Sequence, residues 1–308
     1  MSKPSNDAIA QLLVRLAQRI DPLQFAAANS ADGRAWIANL PENLSAVCSQ
    51  WHLQIDDADV HSGYHAVVQP VRRRHGTYVL KLTWPVDRAI DEARALAEWA
   101  GDGAVQLLDV DSDRGALLLE RLDATTTLLD LNLTDAATLA GRLLRRLTVP
   151  APDGLRKLTA LVHDLPNSIG DRQERLSQPV PNRWIETSRS LADQLGATTT
   201  DRYLVHADLH YGNVLAGTRE PWLAIDPKPL AGDAEHAVPE LLWTRADELE
   251  DSASVRRLLE VIVENGALDA EKARNWCIVR CVDAWLWGIE HGLTEDPKRC
   301  QQVLQALL

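Results

Sequence analysis

The 308-residue sequence is poor in methionine, phenylalanine and lysine, with one Met, one Phe and six Lys beside 26 Arg. Such a preference for arginine reflects a GC-rich genome and says nothing of mechanism, but it makes each lysine worth placing. Cysteine is also scarce: Cys48, Cys277, Cys281 and Cys300 are the four. Cys277 and Cys281 share a helix face at i,i+4, and no C-x-x-C pair occurs, which argues against a zinc ribbon. Buried thiols in a reducing cytosol are the expectation. No apolar run reaches bilayer length, since even residues 277–289 are broken by Arg280 and Asp283. Positive charge is outweighed by 44 Asp and Glu against 32 Lys and Arg, a net charge of −12. That balance argues against nucleic acid or an anionic membrane as partner. There is no low-complexity tract or clear repeat. The composition, 45% apolar and 25% charged, is that of a globular protein, and the length suits a two-lobed enzyme. Residues 6–20 place Ile9, Leu12, Leu13, Leu16 and Ile20 at helical spacing, opened by Asn6 or Asp7. They predict an amphipathic helix rather than a signal peptide, hence a cytoplasmic location. Helix continues in patches to Ser49, with Trp36 and Leu40 facing the first sheet.

What is present is concentrated in residues 204–226, LVHADLHYGNVLAGTREPWLAID. Three short apolar runs punctuated by turn residues predict strands around a loop. That loop holds His206, Asp208, His210 and Asn213, and Asp226 ends the last strand. Phosphoryl transfer needs a carboxylate to accept the hydroxyl proton, and an amide and second carboxylate to hold magnesium on the phosphates. Asp208 and Asn213 have the five-residue separation of the protein-kinase H-R-D-x-x-x-x-N loop. Alternatively, His-x-Asp-x-His on a strand would put three metal ligands on one face. A zinc hydrolase would need further ligands and a metal-activated water, and no second dense histidine cluster is present. A buried polar loop without turnover is the remaining alternative.

His-Ala-Asp-Leu-His-x-x-Asn followed by Ile-Asp resembles the aminoglycoside phosphotransferases, whose loop usually reads H-G-D-L-H-x-x-N. More narrowly, WLAIDPKPLAGD at residues 222–233 is similar to the branch that phosphorylates streptomycin and hydroxyurea. The resemblance implies an α+β, protein-kinase-like fold of two lobes. Residues 1–121 would form an N-lobe with an antiparallel sheet and a helix, and 122–308 a mostly helical C-lobe. It implies an ATP-dependent O-phosphotransferase using Mg2+, with Asp208 as base and Asn213 and Asp226 on the metal. His206 and His210 would shape the loop. Lys81, in VLKL, would bridge the nucleotide phosphates while paired to Glu92 in DEARAL, with Glu98 as the competitor for that role. Ser62 and Gly63 fall in the loop over the phosphates, although a kinase glycine loop would carry three glycines. Glu120 and Leu122 would lie where backbone groups meet adenine.

Predicted strands at about 51–55, 64–71, 77–82, 104–110 and 115–120 make a five-stranded sheet. Helices follow near 86, 134–147, 155–164, 183–195, 271–288 and 297–307, with PNSIG (residues 166–170) marking a loop. Related kinases often carry an aromatic-Asp pair that braces the catalytic loop; here those positions hold His236 and Ala237. Either Asp233 or Glu235 takes over, or the loop is held differently. Lys228 would touch phosphate or pair with an acid. Eight carboxylates between residues 226 and 251 predict an acidic rim suited to a cationic acceptor such as streptomycin, with Asp233, Glu235, Asp283 and Glu290 as candidate contacts. Asp247 to Asp251 read equally as a solvated helix face. Hydroxyurea or an amino sugar are the other acceptors considered.

Overall fold

The computed structural model describes residues 26–56, 60–74 and 76–308. The helix expected over residues 6–20 and the loop centre at 57–59 lie outside the described residues. The chain divides into two compact units. The first runs to Gly101 and adds Val105–Leu122; the second joins Asp102–Ala104 to Asp123–Leu308.

Among its described residues the first unit is built on an antiparallel sheet of six strands: β1 (Gln54–Ile55), β2 (His61–Ser62), β3 (Ala66–Arg73), β4 (Gly76–Thr83), β5 (Leu107–Asp111) and β6 (Ala116–Glu120). The order is β1-β3-β4-β6-β5, with β2 also on β3. Two differences from the expected sheet are local. β1 is only two residues long because Trp51 and His52 close the preceding helix, His52 in the left-handed region at φ 54°. β2 is an added strand, too short to show a period. Gly115 (φ +62°) turns β5 into β6, and a Cβ there would sit 2.7 Å from the Thr83 carbonyl oxygen, so turn and close approach both call for glycine.

Helix Ala31–Gln50 buries Trp36, Leu40, Leu44 and Val47, at the i, i+4, i+8, i+11 spacing of one face. These join Val67, Val71, Leu80, Leu82, Ala116 and Leu118 in one apolar cluster. Side chains alternate along a strand, so Lys81, between Leu80 and Leu82, points to the opposite face. There it meets helix Val86–Trp99, which packs on β4, β5 and β6.

The second unit is mostly helical, with helices Leu133–Leu147, Leu158–Arg175, Asn182–Thr198, Val238–Trp243, Ser252–Gly266, Ala270–Glu290 and Glu295–Leu307. Two small sheets lie among them: β10-β9-β7 and β11-β8. Here β7 is Asp123–Thr127, β8 Tyr203–Val205, β9 Val214–Ala216, β10 Trp222–Ala224 and β11 Leu230–Gly232. The PNSIG segment is not a loop: Pro166 lies inside helix Leu158–Arg175. Leu158, Val162, Pro166, Ile169 and Gln173 form its buried stripe, so burial of a continuous face overrides the local breaker. All four cysteines are buried and free; burial pushes the Cys48 thiol up to about 12. Among the described residues no helix is long and apolar enough to cross a membrane.

The continuity of this helix is testable. Ile169→Ala, at a fully buried site, should cost about 2–5 kcal/mol. Leu161→Ala, at a residue 43% exposed, should stay within about 0.5 kcal/mol. Urea unfolding that finds the two equal contradicts a helix through Pro166.

Candidate active site

In the first unit, Lys81 Nζ lies 2.7 Å from both carboxylate oxygens of Glu92, with side-chain exposures of 6% and 3%. Glu92, not Glu98, is therefore the carboxylate that meets this lysine. Ser62 is exposed on β2, and the N–H of Gly63 donates to Ala66 O at 2.9 Å, closing the β2–β3 turn. Glu120 exchanges two contacts with Gln106: its N–H donates to the Gln106 carbonyl (2.9 Å), and its Oε2 accepts the Gln106 N–H (3.2 Å). Leu122, half-buried, ends the unit.

In the second unit the polar loop is laced through its backbone. β8 pairs with β11 and β9 with β10, so the loop after β8 and the turn after β10 are drawn together. The N–H of Ile225 donates to Asn213 O (2.9 Å), and that of Lys228 to His206 O (2.9 Å). His206 Nε2 donates to Ile225 O at 3.0 Å. Inside the loop, Asn213 Nδ2 donates to Asp208 O (2.9 Å) and lies 3.3 Å from Asp208 Oδ2. His210 Nδ1 accepts the Gly212 N–H at 3.1 Å. Lys228 Nζ sits 2.9 Å from Asp208 Oδ2.

Two backbone positions are strained. Ala207 has φ 53° and Asp226 φ 55°, in the left-handed region that costs an L-residue about 1–2 kcal/mol. The first explains why the resembling loop usually carries glycine at this place. Asp226 also precedes Pro227, which restricts it further; such outliers gather at functional sites.

Burial drives the His206 imidazole down to about 3, partly opposed by the charge of Asp226. His210 is lowered by burial too, with Asp208 opposing. One ring nitrogen of each histidine, His206 Nε2 and His210 Nδ1, is thus bonded to the loop backbone. Among the described residues no group of three or more His, Cys, Asp or Glu is arranged to hold a metal.

The loop is not braced by Asp233 or Glu235. Asp233 is buried and takes Lys272 (2.6 Å) and Thr200 Oγ1 (2.8 Å); Glu235 accepts the Asp269 N–H at 3.1 Å. Buried Tyr211 instead donates its hydroxyl to Leu241 O at 2.8 Å. Arg245 lies over the Tyr211 ring at 5.4 Å and donates to Leu128 O and Leu131 O. His236 is buried edge-on to Trp276 at 4.8 Å. Tyr211 went unremarked in the sequence because a tyrosine inside a motif gives no signal of where its hydroxyl goes. Glu240, one of the eight carboxylates counted toward the acidic rim, is buried, 2.8 Å from Arg280 Nη2. Burial raises its carboxyl, opposed by Arg280 and reinforced by the charge of Asp208.

The carboxylates expected in the acidic rim are largely paired within the chain. Asp283 pairs with Arg172 (2.7 Å) and Arg280 (3.2 Å), and Glu290 with Arg175 (2.6 Å) and Arg172 (3.4 Å). Asp247 pairs with Arg299 and Glu248 with Arg245, each at 2.6 Å. Asp251 caps helix Ser252–Gly266 by accepting the Ser254 N–H. With Asp233 and Glu235 engaged as above, these carboxylates meet cations and N–H groups of the chain itself. The expectation ignored arginines distant in sequence, on helices Leu158–Arg175 and Ala270–Glu290.

Two outcomes follow from the buried charges. Glu92→Gln strands the Lys81 ammonium and should cost about 3–5 kcal/mol, whereas Lys81→Met/Glu92→Leu should recover most of it; a double variant no more stable than the single contradicts this. His206 and His236 both fall from 6.5 to about 3 on burial. The unfolded chain therefore takes up protons first, and stability is lost as pH falls from about 6.5 toward 3. The urea midpoint should drop between pH 7.5 and 5.5, and by less in His236→Phe, which keeps a ring against Trp276. An equal drop in that variant contradicts the assignment to His236.

Comparison with known proteins places this geometry. The family model for aminoglycoside/hydroxyurea antibiotic resistance kinases matches residues 50–292. The chain is 39% identical to the streptomycin 6-kinase of Streptomyces glaucescens over 306 residues, covering 95% of this chain and 98% of that protein. It is 38% identical to the hydroxyurea phosphotransferase of Kitasatospora aureofaciens, covering 90% and 82%. The fold is also that of a thermostable mutant of the aminoglycoside phosphotransferase APH(4)-Ia, solved as a ternary complex with AMP-PNP and hygromycin B. The TM-score is 0.61 at 14% identity, over 85% of this chain and 97% of that one. With most of its length matched by the family model and by relatives close to 40% identical, this chain belongs to the aminoglycoside/hydroxyurea antibiotic resistance kinases.

Proposed function

We propose that this member of the family transfers the terminal phosphoryl group of ATP to a hydroxyl of a streptomycin-type aminoglycoside. The chain is a small-molecule kinase; the acceptor and the residue roles are the proposal. One observation carries it: Asp208, Asn213 and Asp226 are fixed around one laced loop in a chain 39% identical, over nearly its whole length, to a streptomycin 6-kinase.

Asp208 is the base. It accepts the proton of the acceptor hydroxyl while Asn213 Nδ2 holds its backbone carbonyl at 2.9 Å, so a short side chain is aimed from a fixed root. Asn213 and Asp226 supply an amide oxygen and a carboxylate, the hard oxygen donors that magnesium prefers. The Ile225 N–H to Asn213 carbonyl bond keeps the two in register. Magnesium, when bound, would offset the phosphate charge that builds in the transition state. Lys81, held by both oxygens of Glu92, is assigned to the phosphates of the nucleotide. A buried, doubly bonded ammonium keeps one position, which a free lysine would not.

Hydroxyurea is the second reading, favoured by the 38% identity to the hydroxyurea phosphotransferase. The two part on electrostatics. With the carboxylates beyond Asp226 largely paired internally, long-range attraction of a cationic acceptor is weaker than the acidic count alone implied. Turnover of streptomycin should therefore fall only modestly as salt rises past the point where the Debye length is about 8 Å. ATP consumption should be measured across streptomycin, hydroxyurea and other hydroxylated acceptors. Streptomycin is expected to give the highest kcat/KM, and Asp226→Ala to abolish it with weakened Mg·ATP binding. A higher value for hydroxyurea selects the second reading, and near-normal turnover in Asp226→Ala removes the metal assignment.

A further inference from the structure

Lys228 has a geometry that the proposed roles leave unused. Its ammonium lies 2.9 Å from Oδ2 of Asp208. Its peptide N–H donates to His206 O at 2.9 Å, which ties its root to the same loop. Pro227 and Pro229 flank it, and each fixes its own φ near −65°. The root is therefore stiff while the head is open: the side chain is 44% exposed, beside an Asp208 side chain that is 19% exposed.

Stability does not account for this arrangement. An exposed Lys–carboxylate pair contributes only about 0–1 kcal/mol. The six lysines of this chain are set against 26 arginines, and a fork-shaped guanidinium would bond a carboxylate at two points. A lysine gives instead a compact ammonium with three rotatable donors, which can hold one partner and turn to another.

The position suggests the second partner. In phosphoryl transfer the acceptor oxygen attacks beside the base, and charge spreads over the equatorial oxygens of the moving group. A cation within hydrogen-bond distance of the base is within reach of that group. We propose that Lys228 is a catalytic residue that binds the transferring phosphoryl group: it pairs with Asp208 when the site is empty and donates to an equatorial phosphoryl oxygen during transfer. This rests on the kinase reading above. In the step, the bond from the γ-phosphorus to the oxygen of ADP breaks as the acceptor oxygen bonds to that phosphorus. The hydroxyl proton goes to Asp208, ADP leaves with the electron pair, and Lys228 keeps all three of its protons.

The test uses the full chain with ATP, magnesium and streptomycin, and four variants: Lys228→Ala, Lys228→Arg, Asp208→Asn and Lys228→Ala/Asp208→Asn. Loss of one donor to a developing oxyanion costs about 10²–10³ in kcat. Lys228→Ala should fall by that factor with KM for ATP within about threefold and an unchanged melting temperature. Lys228→Arg should recover at least tenfold, and methylamine should partly rescue Lys228→Ala because the head is open to solvent. The double variant separates a direct role from one exerted through the base. A further loss of kcat below Asp208→Asn is expected if the ammonium meets the phosphoryl group. No further loss, or a kcat for Lys228→Ala within about threefold of wild type, overturns the inference and leaves the kinase reading intact. A wild-type chain that transfers phosphate to no acceptor overturns both.

Discussion

The backbone lacing of the loop after β8 is the constraint on which the second unit depends. Three bonds carry it: Ile225 N–H to Asn213 O, Lys228 N–H to His206 O, and His206 Nε2–H to Ile225 O. Each is between neutral groups and contributes about 1 kcal/mol net. Their value is positional, since they join two strand pairs of three residues each, too short to be stable alone. Held this way, the chain supports left-handed Ala207 and Asp226, and the segment that ends on Asp226 is tied by its backbone to Asn213 although 18 residues separate Asp208 from Asp226. Buried Tyr211, bonded to Leu241 O, fixes the loop from below. The aspartate brace expected of related kinases is thus replaced by a tyrosine hydroxyl and the arginine stacked on its ring.

Buried charge is the second organising element, and it behaves alike in both units. Lys81 and Glu92 are desolvated together; Glu240 is buried against Arg280, a quarter of whose side chain stays exposed. Removing a charge from water costs several kcal/mol, which only a close partner offsets. Such pairs add little stability over apolar residues of equal size. They do place a charge at a fixed point. For Lys81 that point is the one proposed to hold phosphates. For Glu240 it lies close enough to Asp208 for a charge on Asp208 to raise the Glu240 carboxyl further, which makes the proposed base part of a larger electrostatic set.

How much was legible before the structure varies with the range of the interaction. Lys81 facing Glu92 follows from strand alternation and one helix, within 11 residues. The strand–loop–strand run around Asp208 was readable because turn residues and apolar runs are local signals. Pro166 misled because a local breaker was overruled by a buried face running from Leu158 to Gln173. The pairing of the carboxylates was not legible because it is distant: Asp247 meets Arg299 and Glu290 meets Arg175, 52 and 115 residues away. Strands such as β2 and β7 could not be foreseen, since two exposed residues, or the Thr-rich run at 123–127, carry no period.

The role proposed for Asp208 is to act on the acceptor hydroxyl and not on nucleotide binding. Asp208→Asn keeps the shape of the side chain and the Asn213 Nδ2 contact to its backbone carbonyl while removing the proton acceptor. The decisive measurement is single-turnover transfer of γ-labelled phosphate to streptomycin, alongside nucleotide affinity, in this variant and in the wild type. Asp208→Asn is expected to transfer more slowly by about 10²–10⁴, the usual contribution of a general base, with nucleotide affinity unchanged. Wild-type transfer with weakened nucleotide binding contradicts it.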